Sequence, residues 1–181
     1  VVVDTSSTIT ATDTYDIAFT IGAAPPALAG DFCINALVSG TGTGSTVDFE
    51  NNYAGGTNCA LGAGRDAVFT VSVPPGQRVV STVTSTLPDA GTGANPTLSL
   101  IEGSDAGVCT SPTCAASSNV VSTNVESLAF SNLGTTTRSF FLVLDTTSST
   151  DPGQNYNLTT TVAVPPQGDV CSNPTALTAP L

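Results

Sequence analysis

Phe140-Phe141-Leu142-Val143-Leu144-Asp145 and, beyond a Ser/Thr/Gly turn, Tyr156-Asn157-Leu158-Thr159-Thr160-Thr161-Val162-Ala163-Val164 read as two strands of different kinds. The first is apolar on both faces, as a central strand of a packed sheet must be. The second alternates, with Tyr156, Leu158, Thr160, Val162 and Val164 on one face, and stops at Pro165-Pro166, which cannot join a ladder.

The same order opens the chain. Val1-Val2-Val3-Asp4-Thr5-Ser6-Ser7 echoes Leu142-Val143-Leu144-Asp145-Thr146-Thr147-Ser148, and Tyr15-Asp16-Ile17 echoes Tyr156-Asn157-Leu158. Pro25-Pro26 stands for Pro165-Pro166, and Gly30-Asp31-Phe32-Cys33 for Gly168-Asp169-Val170-Cys171. The offset is about 140 residues, the size of one domain. Three parts follow. Residues 1–30 are the tail strands of a preceding repeat, or a donor-strand extension, with a Pro-rich linker. Residues 31–166 are one complete domain, and residues 167–181 are the head of a next repeat or a C-terminal extension.

The stretches between support an all-β domain. Ala67, Phe69, Val71 and Val73 alternate with Val68, Thr70 and Ser72 before Pro74-Pro75-Gly76, an unambiguous turn. Arg78 to Leu87 is rich in Val and Thr, which suit a pleated surface. Cys33–Val38, Thr97–Glu102, Val120–Val121 and Ser127–Phe130 read as further short strands, and Ser39–Thr46 as a mobile Gly/Thr/Ser loop or an irregular edge. No segment sustains a helical period. The expectation is a jelly-roll-like β-sandwich of about eight or nine antiparallel strands, with an extra N-terminal strand pair that completes a neighbouring unit.

Composition narrows the function. The net charge is -11, with three basic residues in 181 and no His. No basic patch exists to condense on phosphates, so nucleic acid is not an expected partner. No apolar run approaches the roughly 20 residues that cross a bilayer as a helix. Without His or Lys, no Ser triad or Schiff base is available, and without Trp a sugar-stacking glycosidase cleft lacks its usual wall. The chain reads as non-catalytic.

Five cysteines without His favour disulfides over metal. If Cys171 is the next unit's Cys33, then Cys33 pairs with Cys59 and Cys109 with Cys114, and Cys171 is left unpaired or intermolecular. A different connectivity, reduced thiols and a four-Cys zinc site are the alternatives; Cys33 and Cys59 lack the close spacing of zinc knuckles. Asp48-Phe49-Glu50-Asn51-Asn52 sets oxygen ligands at alternating positions, which makes Asp48 and Glu50 candidate calcium ligands. The bland reading of such residues is that they cap their own turns. Asp13 with Asp16 and Asp151 with Asn155 are weaker pairs of the same kind. Asp66 and Asp145, at strand ends, read as carboxylates that accept backbone N–H groups at a corner. Asn157-Leu158-Thr159 fits a glycosylation sequon within a strand.

Cys33 with its apolar run, Asn52-Tyr53, Cys59, Asp66-Ala67-Val68-Phe69 before Pro-Pro-Gly, the Cys109–Cys114 loop, Leu142-Val143-Leu144-Asp145, and Gly153 leading to Tyr156-Asn157-Leu158 together resemble the bacterial pre-peptidase C-terminal (PPC-like) β-sandwich domain. The similarity is to the cysteine-bearing tandem type of secreted and cell-surface proteins, over about residues 31–166. It implies a non-catalytic extracellular accessory domain and supplies no catalytic residues.

The function expected is a structural subunit or repeat of an extracellular filament or cell-surface assembly. Its partners would be copies of itself or neighbouring repeats, with Tyr15, Ile17, Phe19 and Ile21 as the alternating face of a donated strand. The competing class is a carbohydrate- or protein-binding module of a secreted hydrolase, with glycans as partners. No cofactor is expected apart from the candidate calcium.

Overall fold

The computed structural model describes residues 27–87, 95–121, 123–147 and 153–169. Nine strands are present among them: β1 (Leu37–Val38), β2 (Thr41–Ser45), β3 (Ala67–Val73), β4 (Arg78–Thr86), β5 (Pro96–Glu102), β6 (Cys114–Ser118), β7 (Val125–Ser131), β8 (Arg138–Thr146) and β9 (Asn155–Ala163). They form a five-stranded sheet in the order β1-β3-β8-β5-β6 and a four-stranded sheet in the order β2-β9-β4-β7. The protein is an all-β sandwich. Its only described helices are two 3-10 turns, Cys33–Asn35 and Ala106–Thr110.

The pairings β2–β9, β3–β8, β4–β7 and β5–β6 are all antiparallel and nest inside one another. This is one long hairpin with its tip at β5–β6, rolled so that its strands are shared between two sheets, the topology of a jelly roll. β1 departs from it. Leu37 and Val38 lie parallel to Phe69 and Thr70 of β3, where antiparallel pairing is expected from the sequence. The cause is local: the chain changes sheets between β1 and β2. Ser39 N donates to Thr70 O of the first sheet at 3.1 Å, and Gly40 O accepts from Thr160 N of the second at 2.8 Å. One extended segment therefore seams both sheets along one side.

Two cores result. Between the sheets, Ala67, Phe69, Val71, Val73, Leu98, Leu100, Phe140, Leu142 and Leu144 meet Val79, Val83, Leu128, Tyr156 and Leu158. On the outer face of the five-stranded sheet, Val68, Ile101, Phe141 and Val143 are covered by Tyr53 and Leu61 from the long β2–β3 connection and by Cys33 and Cys109 from the 3-10 turns, with Cys114 of β6 in the same cluster. That second layer explains why β8 is apolar on both faces.

The local readings succeed for β3, β4, β5, β7, β8 and β9 and depart from the structure elsewhere. Of the two readings of Ser39–Thr46, a mobile loop or an irregular edge, the structure gives the edge in regular form, since Thr41–Ser45 pairs residue by residue with β9 from Thr41↔Thr159 to Ser45↔Asn155. Cys33–Val38 divides into a 3-10 turn and the two-residue β1, and Cys114–Ser118 is a strand although small and polar. Val120–Val121 lies between β6 and β7.

The cysteine pairing differs from the one expected. Cys33 bonds Cys109, and Cys59 bonds Cys114, a crossed arrangement in place of Cys33–Cys59 and Cys109–Cys114. The reason is positional. β6 begins at Cys114 and fixes it opposite Ile101, while Cys109 sits in the 3-10 turn that faces the first one. Closing loops of 76 and 55 residues restricts the unfolded chain by roughly 4 kcal/mol for each bridge. Both bridges fit a non-reducing setting. No helix among the described residues is long and apolar enough to cross a membrane.

Candidate functional site

Asp66, at the start of β3, is fully buried, and its Oδ2 accepts N–H from Asn52 at 2.7 Å and Tyr53 at 2.9 Å. Asp145, near the end of β8 and also fully buried, accepts from Gly62 N and Thr146 N. Asp31 Oδ1 accepts from Glu50 N and Asn52 Nδ2, both at 2.9 Å. The three carboxylates thus hold the long β2–β3 connection against the sheet, and the corner role expected of Asp66 and Asp145 is what the geometry gives. Asp66 Oδ1 is buried without a hydrogen-bond partner. Burial raises the Asp66 pKa to about 8, reinforced by the Asp145 and Asp31 charges and opposed by the Tyr53 and Asn52 N–H groups. Burial thus favours the neutral acid at Asp66. The Tyr53 hydroxyl accepts from Cys33 N at 2.8 Å, and burial raises its pKa also.

Asp48 and Glu50 are exposed and stand on this connection. Glu50 uses its backbone, giving N–H to Asp31 and accepting at its carbonyl from Asp66 N. Among the described residues no group of three or more His, Cys, Asp or Glu side chains is placed to hold a metal ion. Asn157 is exposed on the outer face of β9. Tyr15, Ile17, Phe19, Ile21, Asp13, Asp16, Asp151 and Cys171 lie outside the described residues.

A second feature lies where the sequence suggests a mobile loop or an irregular edge. On β2 the inward positions are Gly42 and Gly44, opposite the inward Leu158 and Tyr156 of β9. A Cβ on Gly44 would strike the Tyr156 hydroxyl, whereas one on Gly42 would meet nothing within 4 Å. β2 consequently contributes no side chain to the core. A groove of about 240 Å³ remains, with Leu37, Phe69, Tyr156 and Leu158 among its walls and the glycines along its lip. Val38, which also lines it, is 86% exposed. The signal was present in Thr41-Gly42-Thr43-Gly44-Ser45, a period of two in which glycine takes the inward place.

The opposite side of the sandwich is closed. Glu126 occupies an inward position of edge strand β7, 1% exposed, and accepts from Ser118 Oγ and Val120 N, so tying the end of β6 to β7. Arg138 pairs with Glu102 and lies over the Phe130 ring at 4.6 Å.

The sequence echo extends to backbone geometry. Asp31 N donates to Leu28 O at 3.1 Å across Gly30 (φ +90), and Asp169 N donates to Pro166 O at 3.1 Å across Gly168 (φ +88). Both are turns that need glycine at the third position. Comparison with known proteins finds no family model that matches the chain and no curated protein that matches it.

Proposed function

We propose that this chain is a non-catalytic structural unit of an extracellular filament or cell-surface assembly, joined head to tail through its N-terminal strands. One observation carries the reading. The sandwich supplies its own β8 and β9, so the β8–β9 echo in residues 1–21 duplicates positions already filled. A second copy of those strands is useful only to another unit. The recurrence of the same glycine turn at Leu28–Asp31 and Pro166–Asp169 adds that a unit's opening follows its closing strand. Crossed disulfides and a surface with few charges suit an extracellular structural role.

Sedimentation velocity and electron microscopy test this directly. The full chain is expected to form oligomers or filaments, and removal of residues 1–22, or Ile17→Asp with Phe19→Asp, is expected to leave monomers. Assembly that survives both changes overturns the reading, and saturable binding on a glycan array by a strictly monomeric chain replaces it with that of a binding module.

A further inference from the structure

We infer that the Gly-lipped groove at the β1/β2 side is the acceptor, and that its occupant is the Tyr15–Ile21 strand of a second copy of this chain. The inference rests on the assembly proposed above and names the surface it uses.

The backbone is available there. Among the described residues β2 is an edge strand. Gly40 O and Thr46 N bond to β9, so by the alternation of an antiparallel ladder Gly42 and Gly44 also face β9, while Thr41, Thr43 and Ser45 turn their N–H and C=O groups outward. A row of outward groups on an edge is a template for another strand. The side-chain space is available as well. Apolar cavities of roughly 150 Å³ accept a benzene-sized group, and this groove is about 240 Å³ with Phe69, Tyr156 and Leu158 in its wall.

The occupant follows from the pairing already made. β9 presents Tyr156 and Leu158 opposite Gly44 and Gly42. Residues 15–17 repeat that pattern as Tyr15-Asp16-Ile17, with Phe19 and Ile21 continuing the face. An antiparallel strand on the free side of β2 in the same register sets Tyr15 beside Gly44, Ile17 beside Gly42 and Phe19 beside Gly40. β2 then lies between two strands of the same kind, and the glycines admit large side chains from both. Pro25-Pro26 favours an extended, semi-rigid chain, which suits a strand that reaches a neighbour. The opposite side of the sandwich does not compete, since an inward carboxylate on an edge strand discourages pairing.

The test uses full-length chains. Gly42→Val fills the groove from a position with open space and ordinary φ, so it folds; Ile17→Asp spoils the donor. Each variant alone is expected to sediment as a monomer, with association weakened by about tenfold or more. Mixed, they are expected to form a heterodimer and nothing larger, because each retains one competent face. If Gly42→Val assembles like the parent while Ile17→Asp does not, the groove is the wrong acceptor although the N-terminal strand still joins units. If Ile17→Asp also assembles, the underlying reading fails too. If both are monomers and the mixture stays monomeric, the two faces are not partners and the inference is overturned.

Discussion

The two sides of this sandwich solve the edge problem in opposite ways. On the β6/β7 side, a buried Glu126 reaches across to Ser118 and Val120, and the Cys59–Cys114 bridge pins the first residue of β6. On the β1/β2 side, the inward residues of β2 are glycines, the described residues leave a groove, and Val38 and Ile34 are exposed. Nothing in the strand count requires this asymmetry, since both sides end in short strands. The difference lies in what each edge residue places inward: a charge with its partners in one case, and no side chain in the other. An edge carrying a buried charge resists a further strand, while one lacking side chains invites it.

Removing the bridge from the closed side should give the largest effect. Cys59→Ala with Cys114→Ala is expected to lower unfolding stability by about 4 kcal/mol, read by urea denaturation, and to expose β6. Glu126→Ala comes next. It leaves the Val120 N–H and the Ser118 hydroxyl without their acceptor, at a cost of about 2 kcal/mol. It should also make this side associate, visible as concentration-dependent light scattering that Gly42→Val does not suppress. If Glu126→Ala remains as soluble as the parent, the closed side owes its inertness to something other than the carboxylate.

A pH-dependent effect concerns the corner at which Asp66 holds the β2–β3 connection. Asp66 has an ordinary carboxyl pKa near 3.8 when unfolded and about 8 in the fold. Between these values the unfolded chain has lost a proton that the folded chain keeps, so stability from this group is greatest below about pH 4 and declines toward pH 8. The melting temperature should fall across that window. Asp66→Asn imitates the neutral acid and should flatten the slope; an unchanged slope in the variant assigns the pH dependence elsewhere. The smallest effect is on the open side itself. Gly42→Val should raise stability by about 0.5–1 kcal/mol, because a β-branched residue replaces glycine within a strand.

Much of the fold was legible in the sequence. β3 and β9 announce themselves by alternation, and β8 by apolarity on both faces. β2 was not legible, because hydrophobic periodicity is blind to a strand whose inward residue is glycine. β6 escaped for a related reason: Cys114-Ala115-Ala116-Ser117-Ser118 is small and polar, and a strand only through its pairing with β5. The disulfide connectivity was equally hidden. Proximity in sequence favours Cys109–Cys114, but the two lie in different elements, one turned to the first 3-10 turn and the other fixed in a ladder. Of the candidate site residues, Asp66 and Asp145 could be placed from their strand ends. Gly42 and Glu126 could be recognised only once the inward face of each edge strand was known.

The nested hairpin imposes an order of events on the growing chain. β9 is the last strand among the described residues, yet it is the neighbour of both β2 and β4. A chain emerging from its N-terminus has no complete four-stranded sheet until Ala163 has appeared, so its most distant contacts form last, as loop closure requires. All four bonded cysteines precede β7. The covalent frame can thus close on half a sandwich, before the strands that fill its centre exist. During that interval β2 waits without its own β9, and any strand of the same pattern is a rival for the place.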